Sequence, residues 1–567
     1  MKSKKMITLM TVLMMSSMAL GSFSGCGGGK ELMDSNYDAT KAYVSVGTYD
    51  GGVGRAWLDE AAKRFEKLHE NTMFGGKKGV QVSVDADKVN YGGDYLSKSS
   101  LTKDVYFTEG VEYYTFINSG KAADISDVVT GSMESFNESG TIEDKLDGML
   151  KNYLTAKDGK YYMLPFYDGF YGFIYDVELF EEESFYFDDD GAFIGVDKDA
   201  DAETRAAFEA DKSNGPDGKE NTYDDGLPAT YEQMMELVDQ INFKGYIPFC
   251  YAGSTEYVDK AFRGYIADYE GYDGMNVNYT LNGKANIVTS INGDTVTTEE
   301  ITVSAEDAYK LQKQAGKYYA LRMEEKLFGS TAYVGQFNED SHTTAQRTFI
   351  NSKYASSGRY AILAEGAWWE NEAELANAFT GMEKRADRRF AFMPIPKADS
   401  TRAGDQVMIS LNSSYGFINK DSQNMEAAKE FMRFLHTDAE MSKFTARTSV
   451  TRALSYSILD EDRTTATNFG KSLIDMRSQS KVVYPYSSVK LLLDNPDAFT
   501  EVKWFSTTMV GSKEYTSPML VFQAENRVSA EDYFKGLYTY QENQWNVRSV
   551  FYIDYNYYFR LLLFISH

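Results

Sequence analysis

The side chains able to do chemistry are unevenly supplied in this chain of 567 residues. Its four histidines, His69, His342, His436 and His567, are scattered, with no HExxH or comparable ligand spacing. Catalytic zinc and histidine-based triads are therefore poorly served. Of two cysteines, Cys250 sits in the apolar run YIPFCY (246–251) and reads as a buried structural thiol. Aromatic rings are abundant: 42 Tyr, 35 Phe and 5 Trp. A tyrosine has a flat apolar face and a polar tip, which suits stacking on sugar rings, although many of these rings must serve the core. Residues 183–226 form a dense acidic stretch. Within it Asp217, Asn221, Asp224 and Asp225 are spaced around glycine turns. Two readings stand for this set: a structural calcium site, because that hard cation prefers several oxygen ligands, and a solvated acidic loop.

The chain opens MKSKKMITLMTVLMMSSMALGSFSGCGGG. Lys2, Lys4 and Lys5 precede an uncharged apolar run from Met6 to Leu20, which suits a signal h-region and is short for a membrane span. The stretch resembles a bacterial lipoprotein signal peptide, with Phe23 in the usual Leu position of the lipobox. The resemblance implies that Cys26 is acylated and becomes the mature N-terminus; an ordinary secretory signal cut near Gly21 is the alternative. Residues 1–25 are then excluded from the fold, and 26–40 form a Gly-rich tether. With Cys26 acylated, no internal disulfide remains to be made. The net charge of −26 disfavours nucleic acid and anionic lipid as partners.

An extended apolar segment at 43–47 runs into the glycine-rich loop 48–54 and then a helix. Leu58, Ala61, Ala62, Phe65 and Leu68 fall on one face of that helix. The GxGxxG pattern is incomplete and no Walker lysine follows, so nucleotide binding is disfavoured. The simpler reading is a turn exposing Tyr49 and Asp50 near the mouth of a cleft. Further strands at 80–84 and 104–107, the latter ending at Thr108 and Glu109, indicate an α/β domain with ligands near the carboxyl ends of its strands.

Residues 158–180 read DGKYYMLPFYDGFYGFIYDVELF, with Asp176 as an N-cap. They resemble the GKxYxLP…GxxYNxxLF pattern of family 1 extracellular solute-binding proteins of ABC importers, the group that includes maltose-binding protein. Four more segments agree in order: GRYAILAEGAWWEN (358–371), FMPIP (392–396), FINK (417–420) with the helix at 425–435, and TSVTRAL (448–454), where Val450 and Arg452 replace the family's Gly and Pro. In the helix, Ala427, Ala428, Phe431, Met432 and Leu435 line one face.

The resemblance implies an α/β, two-lobed periplasmic-binding-protein-like clamshell (type II) with a hinge between the lobes. The N-terminal lobe would comprise 41–164 and 397–481. The C-terminal lobe would comprise 165–396 and 482–546 and carry the insert 183–226. The chain would cross between lobes near Leu164, Pro396 and Val482. The aromatic segment 547–567 reads either as a surface helix or as an out-of-frame tail. The implied cleft is lined by Tyr49, Asp50, Thr108, Glu109, Tyr167, Asp168, Tyr171, Trp368, Trp369, Glu370 and Trp504. Rings stack on sugar C–H faces while carboxylates accept hydroxyl hydrogen bonds; Trp57 reads as core.

The implied function is capture of a carbohydrate, an oligosaccharide for preference, by an anchored monomer that delivers it to ABC permease subunits. No catalytic residue and no required cofactor are expected. The location is the outer face of the cytoplasmic membrane, as on a Gram-positive surface. The alternatives are a surface glycoside hydrolase using Asp168 and Glu370 as acid and base, and a carbohydrate-sensing or adhesion lipoprotein.

Overall fold

The computed structural model describes residues 37–536 and 545, apart from 197–198, 253–255, 294, 331–332, 335–340, 357, 383–384, 412–413, 495–507, 511–512, 516 and 525–526. The signal and tether segment up to residue 36, Trp504 and the tail 547–567 lie outside the described residues. Among the described residues no helix is long and apolar enough to cross a membrane.

The chain begins with β1 (Ala42–Thr48), α1 (Ala56–Leu68), β2 (Val80–Ala86), β3 (Val105–Glu109) and β4 (Met163–Pro165). β1 runs parallel to β2 and β3, as a strand–helix–strand connection requires. The chain then crosses to β5 (Tyr171–Asp176), α2 (Val177–Glu183), β6 (Ile247–Tyr251) and α3 (Glu256–Thr280), the last bent at Gly271, where φ is 73°. A hairpin of β7 (Gly283–Asn292) and β8 (Thr295–Val303) follows, then α4 (His342–Asn351), β9 (Tyr360–Gly366), α5 (Trp369–Leu375) and β10 (Phe390–Met393). After β11 (Gln406–Ile409), β12 (Ser414–Ile418) returns to the first sheet; α6 (Met425–Phe434), α7 (Asp438–Thr448), α8 (Asn468–Gln479) and β13 (Ser480–Val483) complete the architecture.

Two sheets result. The first has the order β2-β1-β3-β12-β4, with β12 antiparallel to both its neighbours. The second has the order β10-β5-β9-β6. Each is the centre of its own lobe. The expected face of α1 is buried at Leu58, Ala61, Ala62 and Phe65, but Leu68, at the end of the helix, is 55% exposed. All five expected apolar positions around α6 are buried. Trp57 is core, edge-on to Phe107 at 5.5 Å and to Phe444 at 4.9 Å. α8 packs on β10, where the Phe392 amide donates to Ser472 Oγ at 2.9 Å. Cys250 is buried, and burial pushes its thiol pKa up.

Three crossings lie side by side between the lobes. The Gly169 amide donates to Ser410 Oγ at 2.9 Å, the Leu411 amide to the Gly169 carbonyl at 2.8 Å, and the Ser410 amide to the Val483 carbonyl at 3.0 Å. β11 pairs in parallel with β13. These bonds lie within the linker segments themselves, so the hinge is a small sheet and not three free strands of chain.

Asp176, at the start of α2, caps the Leu179 amide at 3.3 Å. Its Oδ2 accepts from Arg388 Nη2 and Arg359 Nε, both at 2.8 Å. Asp176 and Arg388 are both buried, so removing one partner strands a charge in the interior. Asp176→Ala is expected to lower the unfolding free energy by about 3–5 kcal/mol, measured by urea denaturation; a loss below about 1 kcal/mol would show that water or Glu178 takes over the arginines.

Candidate functional site

The turn after β1 is shaped for close approach to the other lobe. A Cβ on Gly52 would lie 2.7 Å from Trp368 Cδ1. Asn371 Nδ2, from the second lobe, donates to the Gly52 carbonyl at 2.8 Å. Only a glycine admits the indole there. The turn holds Tyr49 half-buried and leaves Asp50 exposed. Burial, then Glu109 and Glu372, raise the Tyr49 phenol pKa, which places that ring beside two carboxylates.

Trp368 follows β9 and stands at the start of α5. Its indole meets Tyr171 edge-on at 5.0 Å and 89°, and Tyr167 at 6.3 Å and 68°. Tyr171 packs on Tyr257 at 5.6 Å, and Tyr257 stacks on His342 at 5.9 Å. An aromatic wall thus runs from the first crossing across the second lobe.

The carboxylates lie against this wall. Tyr167 donates its hydroxyl to Glu109 Oε1 at 2.5 Å. Burial pushes the Glu109 pKa up to about 7 against the Tyr167 bond, with further repulsion from Glu372. Glu372 accepts from Gln346 Nε2 at 3.0 Å and lies 3.3 Å from His342 Nε2 and 3.9 Å from Lys88 Nζ of the first lobe. Burial raises its carboxyl, but these partners more than offset that and hold it below the usual range. Glu365, at the end of β9, accepts from Gln346 Nε2 at 3.2 Å and from the Gly366 amide at 2.7 Å. Burial, and then Glu372, push its pKa well up.

Of the expected residues, the structure brings Tyr49, Glu109, Tyr167, Tyr171 and Trp368 together where the lobes meet. Others are committed elsewhere. Thr108 is buried and donates its hydroxyl to the Tyr91 carbonyl at 2.7 Å. Trp369 points into the core, edge-on to Phe390 at 5.2 Å and Phe469 at 5.7 Å; one helical step of about 100° turns it away from the direction of Trp368. Asp168 is buried in the hinge, where Thr451 Oγ1 (3.0 Å), Arg477 Nε (3.1 Å) and Tyr484 Oη (3.1 Å) all donate to it. Glu370 Oε2 accepts from Ser449 Oγ at 2.8 Å and Thr467 Oγ1 at 2.7 Å. Of these two expected acceptors for ligand hydroxyls, Asp168 spends both oxygens on protein donors and Glu370 its Oε2, while Glu370 Oε1 is buried away from the cleft without a hydrogen-bond partner.

Tyr257, His342, Gln346, Glu365 and Glu372 were not among the expected residues. Only Glu365 and Glu372 carried a signal, flanking the Trp368–Trp369 pair; the others come from α3 and α4, whose sequences give no sign of the cleft.

The acidic insert folds onto the second lobe, burying Phe185, Tyr186 and Phe187, so it is not a freely solvated loop. Thr222 Oγ1 lies 2.7 Å from Asp224 Oδ1, 3.2 Å from Asp225 Oδ1 and 3.3 Å from Asp217 Oδ1. Asn221 takes a left-handed φ of 58°. A hydroxyl, bonded to carboxylates, stands among the expected calcium ligands. Among the described residues no group of three or more His, Cys, Asp or Glu side chains is arranged to hold a metal ion.

Glu109 titrates higher in the fold than in the unfolded chain. Its folded form keeps a proton up to about pH 7, whereas a free glutamate loses it near 4.5. The folded state therefore binds more protons between these values, and this residue's contribution falls as pH rises through the window. Glu109→Gln keeps an acceptor for Tyr167 and removes the titration. Relative to wild type it is expected to gain roughly 1–3 kcal/mol on going from pH 4.5 to pH 8, read from denaturation midpoints at both pH values; an equal response in the two proteins would show that Glu109 ionises freely.

No protein-family model matches this chain, and no curated protein does. Solved structures do. The SBP RafE in complex with raffinose is similar at 12% identity, covering 88% of this chain and 100% of that one, with a TM-score of 0.50. The GacH receptor of Streptomyces glaucescens follows at 14% identity, 88% and 96% coverage and a TM-score of 0.49. A cyclic alpha-maltosyl-1,6-maltose binding protein from Arthrobacter globiformis shows 12% identity, 89% and 100% coverage and a TM-score of 0.48. At such identities the likeness speaks for fold, and RafE carries it: this chain has the two-lobed α/β clamshell fold of type II periplasmic binding proteins.

Proposed function

We propose that this protein is a membrane-anchored, extracellular solute-binding protein that captures a carbohydrate by closing its lobes and hands it to the permease of an ABC importer. The observation that carries the reading is the junction of the lobes itself. Trp368, Tyr171 and Tyr167 pack together, Tyr167 bonds Glu109 of the first lobe, and Trp368 abuts Gly52, three residues after Tyr49. Rings that present edges and faces, with acceptors beside them, are the surface a saccharide needs. RafE, of similar fold, was solved with raffinose, an oligosaccharide.

Hydrolysis is the weaker reading. The carboxylates that would act as acid and base, Asp168 and Glu370, are buried and bonded to hinge and helix residues. Neither is placed to protonate a glycosidic oxygen. Capture and release by lobe closure need no cofactor. Anchoring rests on the sequence around Cys26, delivery to a permease on the resemblance of the five segments, and action as a monomer on the same resemblance. Calcium at the loop 217–225 remains a reading of its spacing and of Asp217 Oδ2, which is buried without a hydrogen-bond partner; the Thr222 hydroxyl that now bonds Asp217, Asp224 and Asp225 would have to give way to the ion, and an unchanged melting temperature on adding calcium or a chelator would retire it.

A panel of mono- and oligosaccharides tested by thermal shift is expected to yield at least one ligand that raises the melting temperature, because a ligand bound only by the folded state stabilises it. A panel without a shift would remove the carbohydrate reading. Trp368→Ala is expected to weaken the ligand so found by about tenfold or more; retained affinity would move the site away from the lobe junction. Cys26→Ser is expected to release the protein from the membrane fraction, and its retention there would argue against the lipid anchor.

A further inference from the structure

The lobe junction is rich in acceptors and short of donors. Glu109 and Glu365 make no ion pair among the described residues, and Glu365 is 1% exposed. Glu372 adds a third carboxylate near enough to raise the proton affinity of both. Gln346 lies between Glu365 and Glu372 and spends its amide nitrogen on them. Its Oε1 is fully buried and has no hydrogen-bond partner. Reversing the amide would set Oε1 against two carboxylates, so the unmet acceptor is a property of the site.

The cations nearby do not meet this demand. Lys88 lies 3.9 Å from Glu372 with its side chain 54% exposed, and its pull on Glu109 is smaller than the effect of burial; His342 lies 3.3 Å from Glu372. Lys260 is engaged by Glu256 and by the Tyr171 hydroxyl at 3.2 Å. Arg263, also near Tyr171, faces Asp259 and Glu256. A buried carboxylate lacking a cation or a full set of donors is costly. Trp368, Tyr171 and Tyr257 lie beside these groups, and ring faces attract positive charge: Lys260 Nζ stands over the Tyr171 ring at 4.8 Å and His342 stacks on Tyr257 at 5.9 Å, which leaves Trp368 as the ring of the wall for a further cation. An ammonium group offers three donors and no acceptor, the complement of what the site presents; a neutral hydroxyl offers one donor and brings further acceptors.

We propose that the ligand carries an amine: a saccharide with an unacetylated amino sugar, its ammonium held among Glu109, Glu365 and Glu372 against the aromatic wall. This rests on the carbohydrate reading above and narrows it to a cationic class.

Calorimetric titration of the mature protein with matched sugars tests it. The pairs are glucose with glucosamine, galactose with galactosamine, mannose with mannosamine, and cellotriose with the β-1,4 glucosamine trimer; the N-acetylated trimer and raffinose serve as neutral controls. At least one amine is expected to bind about tenfold or more tighter than its neutral partner. Neutral sugars binding as tightly as their amines would overturn the inference and leave carbohydrate capture standing. No binding in either arm would remove both. Glu365→Gln and, independently, Glu109→Gln are each expected to bring the amine-to-neutral affinity ratio towards one. A ratio unchanged in both variants would overturn the assignment of the ammonium to this cluster.

Discussion

The buried Asp168 carboxylate ties the first crossing of the hinge to the third, while its neighbour Gly169 bonds the second, and the geometry of the cleft depends on this pair. Asp168 sits in the first crossing, takes hydrogen bonds from Thr451 and Tyr484, and pairs with Arg477 of α8. Its own amide donates to the Thr451 carbonyl at 2.9 Å. Burial alone would push its pKa up, and Arg477 opposes this most strongly among its partners. A carboxylate so placed is stable only while all its donors stay in register. The hinge therefore has few ways to bend. In this structure the knot holds the lobes in the relative position in which Gly52 meets Trp368.

Local pattern made much of the fold legible. β1 follows from its extended apolar run, since it is buried on both faces, and α1 and α6 from helical spacing, because each buries one face against its sheet. The N-cap at Asp176 was equally readable, since a cap is a relation between residues three apart. Its two arginine partners were not, because they lie 183 and 212 positions away. The candidate site divides along the same line. Tyr49, Glu109, Tyr167, Tyr171 and Trp368 stand at strand ends, where an α/β fold places its ligand side chains. Asp168 and Glu370 stand at similar ends and look alike in sequence. What separates them is a set of donors 79 to 316 residues distant, which no local reading contains. Trp369 fails for a shorter-range reason: adjacent helical residues point about 100° apart, and only the fold decides which tryptophan of the pair takes the cleft.

Closure has its own balance of forces. Asn371 bonds the Gly52 carbonyl, Ser449 bonds Glu370, and Arg385 Nη2 donates to the Arg447 carbonyl at 2.8 Å. Each such bond contributes about 1 kcal/mol net, so together they favour the closed form modestly. Against them stands the repulsion between Glu372 on one lobe and Glu109 on the other, which sharpens as water leaves the junction. A ligand shifts such an equilibrium only by the difference in its affinity for the two states. One that supplies donors to these carboxylates both adds contacts and removes the term that opposes closure. A tight but donor-poor ligand would fill the cleft and leave the repulsion in place. On the amine reading proposed above, an acidic junction of this kind would make the closed state conditional on the chemistry of its occupant.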